Sequence, residues 1–276
     1  MTTLVGYPGP PGSHSAAASA LLAPAGSTSV DLPTFTAVVE ATVATDVSLG
    51  VLPIESSLVG PVAETHDLLY DAPLSIVREA SLPIRHCLVA RSACEVSSYK
   101  TIRSHPVAFE QCRRVVSQLS AKLVAASTTA HAAQEVAESD DPTEAAIASP
   151  EAAEEYGLTI VVDDVSDHPE AFTRFVAIAP YTRVEGSHEG WRTALSFVTD
   201  HRPGALYHAL EPFVRHDLNM VQLVSRPLPQ SRWRYRFDVV FDGHPLDGEV
   251  RIALGELRGL TRALRVLGCY PAEVAA

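Results

Sequence analysis

The chain has 276 residues, 46% of them hydrophobic, with a formal net charge of −12. That leaves room for two or three domains with buried cores, and argues against a nucleic-acid surface or an anionic membrane as partner. No run approaches the roughly 18 uninterrupted apolar residues of a membrane span, and the start, MTTLVGYPGPPG, lacks a signal-peptide pattern, so a soluble cytoplasmic protein is expected. An anionic substrate would need a local basic pocket set against the overall charge. The four cysteines, Cys87, Cys94, Cys112 and Cys269, form no C-x-x-C pair and the eleven histidines show no zinc spacing; reduced thiols and no metal are expected.

In chain order, residues 4–7 predict a short strand running into the turn 8–12, and Ser13-His14-Ser15 leads into an alanine-rich helix over 16–22. A strand, a Gly/Pro turn and a Ser-capped helix can cradle an anion, because the first amides of a helix are unsatisfied; the same residues also fit a plain βα turn with a serine cap. A helix over 34–45 follows, then a buried strand over 47–54 ending at Glu55-Ser56-Ser57. Residues 60–69 predict a turn and helix, and 74–82 and 83–90 two strands. Ser104-His105-Pro106 opens a helix through Leu119, with Phe109, Cys112, Val115, Val116 and Leu119 on the 3.6-residue period. Residues 123–126 form a strand running into the cap Ser127-Thr128-Thr129 of a helix over 130–138. A strand over 145–149, a helix over 150–156 and strands over 158–162 and 172–178 precede a linker, 180–190.

Strands alternating with helices predict a mainly parallel α/β sheet with its site at strand C-terminal ends, where each Ser/Thr cluster falls. Beyond the linker the pattern changes. A strand over 193–198, a turn at Pro203-Gly204, a helix over 205–216, strands over 220–223 and 235–241 and a helix over 249–257 make a small α+β sandwich of about 80 residues.

Four blocks in the first 180 residues, and further ones beyond the linker, carry a resemblance. Gly9-Pro10-Pro11-Gly12-Ser13-His14-Ser15, the stretch 50–57 (GVLPIESS) with Gly60, the helix start SHPVAFEQC and Ala171-Phe172-Thr173-Arg174-Phe175 resemble, in order and spacing, the motifs of the prephenate dehydratases. Gly204-Ala205-Leu206 with Ser225-Arg226-Pro227 is similar to their regulatory ACT domain, and the tail 255–271 to its closing helix and V-L-G-x-Y-P. The resemblance implies a two-lobed, periplasmic-binding-protein-like α/β catalytic domain over 1–180, then a ferredoxin-like α+β ACT domain over 190–276, in a homodimer or homotetramer. It implies loss of water and carbon dioxide from prephenate to give phenylpyruvate in phenylalanine biosynthesis, without a cofactor.

By the same resemblance Arg174 is the carboxylate clamp, where a planar bidentate donor fits. Thr173 would hydrogen-bond or protonate the leaving hydroxyl, and Phe175 would pack the site. Ser13, His14, Ser56, Ser127 and Thr128 would line the cleft as donors, with helix N-termini adding positive potential. Gly204, Ala205, Leu206, Ser225, Arg226 and Pro227 would bind an amino-acid effector. From the residues alone, Thr173 and Arg174 also fit a surface strand ion-paired to Asp163 or Asp164. The departures from the family pattern are Ser56 and Ala171 for asparagines, His14 for an aromatic and Val224 for a glutamate. Each lost substrate-facing donor could cost about 2–4 kcal/mol of transition-state stabilisation. His14 could restore a donor, act as the acid, or be a solvated loop histidine. The alternatives to a dehydratase are a prephenate decarboxylase-like enzyme, a dehydratase for a modified prephenate, and a non-catalytic amino-acid sensor.

Overall fold

A computed structural model describes residues 3–168, 170–180, 190–228, 231 and 233–272. The chain opens with β1 (Leu4–Pro8), α1 (His14–Leu22), β2 (Thr28–Leu32), α2 (Phe35–Val43), β3 (Leu49–Ser56), β4 (Gly60–Pro61), α3 (Ala63–Asp71) and β5 (Leu74–Pro83). It then enters a second sheet through β6 (Cys87–Ala90), β7 (Thr101–Ser104), α4 (Pro106–Gln111), α5 (Arg113–Val116), β8 (Lys122–Ala125), α6 (Thr129–Glu138), β9 (Glu144–Ala148), α7 (Pro150–Glu155) and β10 (Thr159–Val162). β11 (Phe172–Pro180) returns to the first sheet, and β12 (Trp191–Val198), α8 (Ala205–Arg215), β13 (Met220–Pro227), β14 (Tyr235–Asp242), α9 (Gly248–Leu260) and β15 (Ala263–Pro271) complete the described chain. Most of the predicted linker, residues 181–189, lies outside the described residues.

Helix starts follow the side-chain caps. Ser13, Thr34, Thr128 and Ser149 each accept a hydrogen bond from the amide three residues on, opening α1, α2, α6 and α7. The helix expected over 104–119 is instead α4 and α5, because Cys112 leaves the helical region at φ −125° between them. The apolar periodicity survives the break, which is why the pattern did not reveal it. Beyond α9 the tail forms strand β15, which was not among the expected strands.

The expected mainly parallel sheet is a mixed one. Within the first lobe only β2, β1 and β3 run parallel; β11 lies antiparallel between β3 and β5. The second lobe has the order β10-β6-β9-β7-β8, with β7 parallel to β8 and β9, and β6 antiparallel to β9 and β10. The antiparallel pairs arise because the chain passes between the lobes twice. The two passages run side by side, with Ile84 N donating to Ala171 O (2.7 Å) and Val165 N to His86 O (2.7 Å). Val176, Ala177 and Ile178 of β11 are all fully covered, as a central strand buried on both faces requires.

In the C-terminal part, β13, β14, β12 and β15 pair antiparallel in that order beneath α8 and α9, the ferredoxin-like arrangement. This sheet joins the first lobe: β15 meets β5 in parallel at Gly268 and Ile76, giving ten strands in one sheet. A Cβ on Gly268 would overlap the backbone N and O of Ile76, which cannot rotate away. Gly268→Ala is therefore expected to cost about 1–3 kcal/mol or more of stability. A urea midpoint unchanged from wild type would contradict this.

All four cysteines are free. Burial pushes the Cys87 and Cys269 thiols up to about 11 and Cys112 to about 12, whereas Cys94 is exposed. At pH 8 a thiol reagent is expected to label Cys94 first, the other three following only as the chain opens. Mass mapping of the first modified peptide checks it. Among the described residues no helix is long and apolar enough to cross a membrane, and no cluster of three metal-ligating side chains occurs.

Candidate active site

Between the lobes lies a cleft of about 560 Å³. The first lobe contributes Pro8, Gly9, Ser13, His14, Ser15, Thr34, Phe35 and Ser56; Ala171, just before β11, and Thr173 and Phe175 of β11 add to them. The second contributes His86, His105, Gln111, Ser127, Thr128 and Thr129. Seven of the residues singled out from sequence thus meet in one cavity: Ser13, His14, Ser56, Ser127, Thr128, Thr173 and Phe175. His86, Gln111, Thr34 and Phe35 were not singled out. Gln111 lies in the stretch SHPVAFEQC, and His86 interrupts an apolar strand, the mark of a polar residue with a specific partner.

Three helices of nine or ten residues, α1, α2 and α6, present their N-termini to this space. The caps take one amide each: Ser13 Oγ from Ala16 N (3.2 Å), Thr34 Oγ1 from Ala37 N (3.0 Å) and Thr128 Oγ1 from His131 N (2.9 Å). The first-turn amides of Ser15, Phe35 and Thr129, beside the cavity, have no partner among the described residues, as the first amides of a helix do not. Together with the helix dipoles they favour negative charge. The expected basic pocket is absent: among the described lining residues there is no lysine or arginine, and Glu64 is the one carboxylate.

Arg174 is not among the described lining residues. Thr173 and Phe175 share the cleft face of β11, so Arg174, one residue between them, points the other way. Its Nη1 lies 3.3 Å from Glu55 Oε2, across the β3–β11 register that pairs the two residues. The partners considered from sequence are otherwise engaged: Asp163 receives Arg85 Nη2 at 2.9 and 3.0 Å, and Asp164 Oδ1 accepts from Ser166 N. Thr173 Oγ1 has no hydrogen-bond partner among the described residues and is free for a ligand. Ser56 Oγ accepts from Leu58 N (3.3 Å) and Val59 N (3.4 Å), which leaves its hydrogen available. Ala171 is buried and brings no polar group.

His14 and His86 occupy another part of the wall, rings edge to face with centroids 6.2 Å apart. Burial pulls the His14 imidazole down to about 4, with His86 the next cause, and burial also lowers His86. His14 is therefore neither a solvated loop histidine nor an imidazolium at neutral pH. His86 Nε2 lies 2.8 Å from Gln111 Oε1.

The sequence model of the family described as prephenate dehydratase matches residues 5–182, nearly two thirds of the chain and the whole of both lobes. The chain belongs to the prephenate dehydratase family. Among relatives, arogenate dehydratase 2 of Petunia hybrida is 34% identical over 241 residues, covering 82% of this chain. The chain spans only 61% of that relative's length. Two solved structures superpose over nearly the whole chain. The prephenate dehydratase of Arthrobacter aurescens in complex with L-Phe has a TM-score of 0.87 at 33% identity, covering 99% of this chain and 93% of its own. GqqA, described as a novel type of quorum-quenching acylase, has 0.88 at 32% identity, covering 98% of each chain. The two-lobed α/β fold expected from sequence is thus the fold of this family.

In this prephenate dehydratase family member a second cavity of about 290 Å³ lies beside α8, lined by Ala205 and Leu206 with Asp200, Arg202, Arg234 and Tyr235. Gly204 precedes α8 at φ 78°. Ser225, Arg226 and Pro227 sit apart from this lining, on β13. Arg226 is tied to the cleft lobe instead: its Nη2 lies 2.6 Å from Asp67 Oδ2 on α3, the helix whose start brings Val62 and Glu64 to the cleft.

Proposed function

We propose that this chain removes water and carbon dioxide from prephenate, or from its amino counterpart arogenate, to leave an aromatic ring. The observation that carries the reading is the cleft lining: hydroxyls, neutral imidazoles and three helix N-termini, with Thr173 Oγ1 unengaged among the described residues. Aromatisation supplies the driving force, so the site need only hold the carboxylates, assist departure of the ring hydroxyl and let the ring carboxylate shed its charge. A guanidinium at that carboxylate would hold the charge that carbon dioxide release must lose, so its absence from the described lining fits the chemistry. In this reading Thr173 hydrogen-bonds the leaving hydroxyl and Phe175 packs the ring. The N-termini of α1, α2 and α6, with Ser13, Ser56, Ser127 and Thr128, receive the carboxylates. Arg174, through Glu55, holds β11 in register.

Both substrates are retained because the relatives carry both names. Product mass after incubation with each separates them: phenylpyruvate from prephenate, phenylalanine from arogenate. Carbon dioxide release with the diene retained would move the chain to the decarboxylase alternative. We assign the catalytic unit to residues 1–180 and an ACT-type regulatory unit to 190–276, in a cytoplasmic homo-oligomer. An amino-acid effector would sit between the 204–206 and 225–227 blocks, in line with the L-Phe held by the Arthrobacter relative. Val224 and the Arg226–Asp67 pair weaken that site relative to the family pattern. Inhibition by phenylalanine in the same assay tests it.

A second reading, amide hydrolysis, has one observation in its favour. Ser127 Oγ lies 2.7 Å from His131 Nδ1, and His131 Nε2 is 3.9 Å from Glu135 Oε1, while one relative of known structure is described as an acylase. Ser127 and His131 are exposed and Glu135 is shared with Arg103 at 3.1 Å, so the pair is wet and loosely oriented for a nucleophile and base. Offering an N-acyl amide beside prephenate decides between them.

A further inference from the structure

Among the described residues that line the cleft, Glu64 is the one carboxylate, and no lysine or arginine stands with it. It lies in the first turn of α3, a helix held in place by the three residues that follow. Thr65 Oγ1 donates to Pro53 O (2.6 Å), His66 Nδ1 lies 3.0 Å from Asp238 Oδ2, and Asp67 receives Arg226 Nη2 at 2.6 Å and Arg236 Nη2 at 2.7 Å. Thr65 and His66 turn into the fold and are buried, whereas Glu64 is exposed and lines the cavity with Val59 and Val62. Its carboxylate has no hydrogen bond or ion pair among the described residues. Water solvates such a group in an open cleft. Once a substrate fills the cavity and displaces that water, an unpaired carboxylate is costly, so the group that arrives beside it decides how well the substrate binds.

We propose that Glu64 receives the α-ammonium of the substrate, so that the cleft selects arogenate over prephenate. The inference rests on the dehydratase reading above and names which of its two substrates the site favours. The two differ at one group: prephenate has a keto oxygen where arogenate has an ammonium. A keto oxygen only accepts, as does a carboxylate, so prephenate gives Glu64 no hydrogen bond. Prephenate also enters as a dianion, and like charges repel in a cavity with no described lysine or arginine to offset them. An ammonium carries three donors and no acceptor, and pairs with a carboxylate at charge-assisted strength. Arogenate then brings one net negative charge instead of two. The carboxylates that both substrates share are left to the N-termini of α1, α2 and α6, which lie on other elements and do not compete with Glu64.

The test is steady-state kinetics of the wild type, Glu64→Gln, Glu64→Asp and Glu64→Lys on arogenate and on prephenate, with each product read by mass. The wild type is expected to show the higher kcat/KM on arogenate. Glu64→Gln keeps the shape and drops the charge. It should lower kcat/KM on arogenate about tenfold, the lower end for a hydrogen bond between charged groups, and should do so through KM. On prephenate the same variant should raise kcat/KM, because the repulsion has gone, and Glu64→Lys should raise it further. Glu64→Asp, which keeps the charge, should keep the preference for arogenate. A purely structural role would move both substrates in one direction, whereas this role moves them in opposite ones. The proposal is overturned if the wild type prefers prephenate, if Glu64→Gln leaves the KM for arogenate unchanged, or if both substrates fall together. A wild type inactive on both substrates would sink the dehydratase reading and this inference with it. An active wild type whose substrate ratio is indifferent to Glu64 would sink this inference alone.

Discussion

Replacing Thr173 with alanine is expected to lower kcat on prephenate by about two to three orders of magnitude, the range for loss of one donor aimed at developing charge. The hydroxyl sits on the cleft face of β11 and has no internal partner among the described residues, so the substitution removes no native hydrogen bond and should leave the unfolding midpoint where it is. The oxygen that leaves the ring gains negative charge as the bond stretches, and Thr173 Oγ1–H meets that charge in a cavity without a cationic side chain among the described lining residues. Thr173→Ser, which keeps the hydroxyl, should restore most of the rate. A Thr173→Ala enzyme with wild-type kcat would remove Thr173 from the mechanism. Arg174→Gln is expected to behave differently, acting through Glu55 and strand register on stability more than on kcat.

The largest stability effect is expected at Arg236. Its side chain is 1% exposed, yet it lies between the C-terminal sheet and α3: Nη2 is 2.7 Å from Asp67 Oδ1, Nε is 3.3 Å from Asp238 Oδ1, and the guanidinium sits 4.5 Å above the Tyr70 ring. Asp238 is itself buried and, among the described residues, otherwise meets His66 Nδ1, at 3.0 Å. Arg236→Met would leave Asp238 without its guanidinium, and removing one member of a buried pair costs about 3–5 kcal/mol. Urea unfolding should show that loss, and Arg236→Met with Asp238→Leu should recover part of it. Because α3 also brings Val62 and Glu64 to the cleft, the single variant should raise KM as well. An unchanged midpoint would mean that solvent reaches the network freely.

The serine and threonine clusters were legible because Ser13 and Thr128 are helix caps and Ser56 closes a turn at the end of β3, local signals that the tertiary structure had no reason to override. The apolar strands β3, β5, β6 and β11 and the helices α1, α2 and α6 were legible for the same reason, their patterns being burial patterns. β2 and β7 escaped because TSVDL and TIRS are short and polar at alternate positions, and their pairing with β1 and with β8 and β9 is set by neighbours distant in sequence. The direction of β11 escaped too: that it returns antiparallel between β3 and β5 depends on the double crossing between lobes. The orientation of Arg174 follows from strand alternation, which turns it away from the face that Thr173 and Phe175 share. The neutral state of His14 was invisible in sequence, since it follows from burial and from His86, 72 positions later.

The most direct test of the central claim is to incubate the purified chain with prephenate at neutral pH and follow phenylpyruvate by its alkaline ultraviolet absorbance. The account predicts enzyme-dependent phenylpyruvate, or phenylalanine when arogenate is supplied instead, with a turnover that collapses in Thr173→Ala. Neither product forming from either substrate, with folded protein and intact cleft, would contradict it.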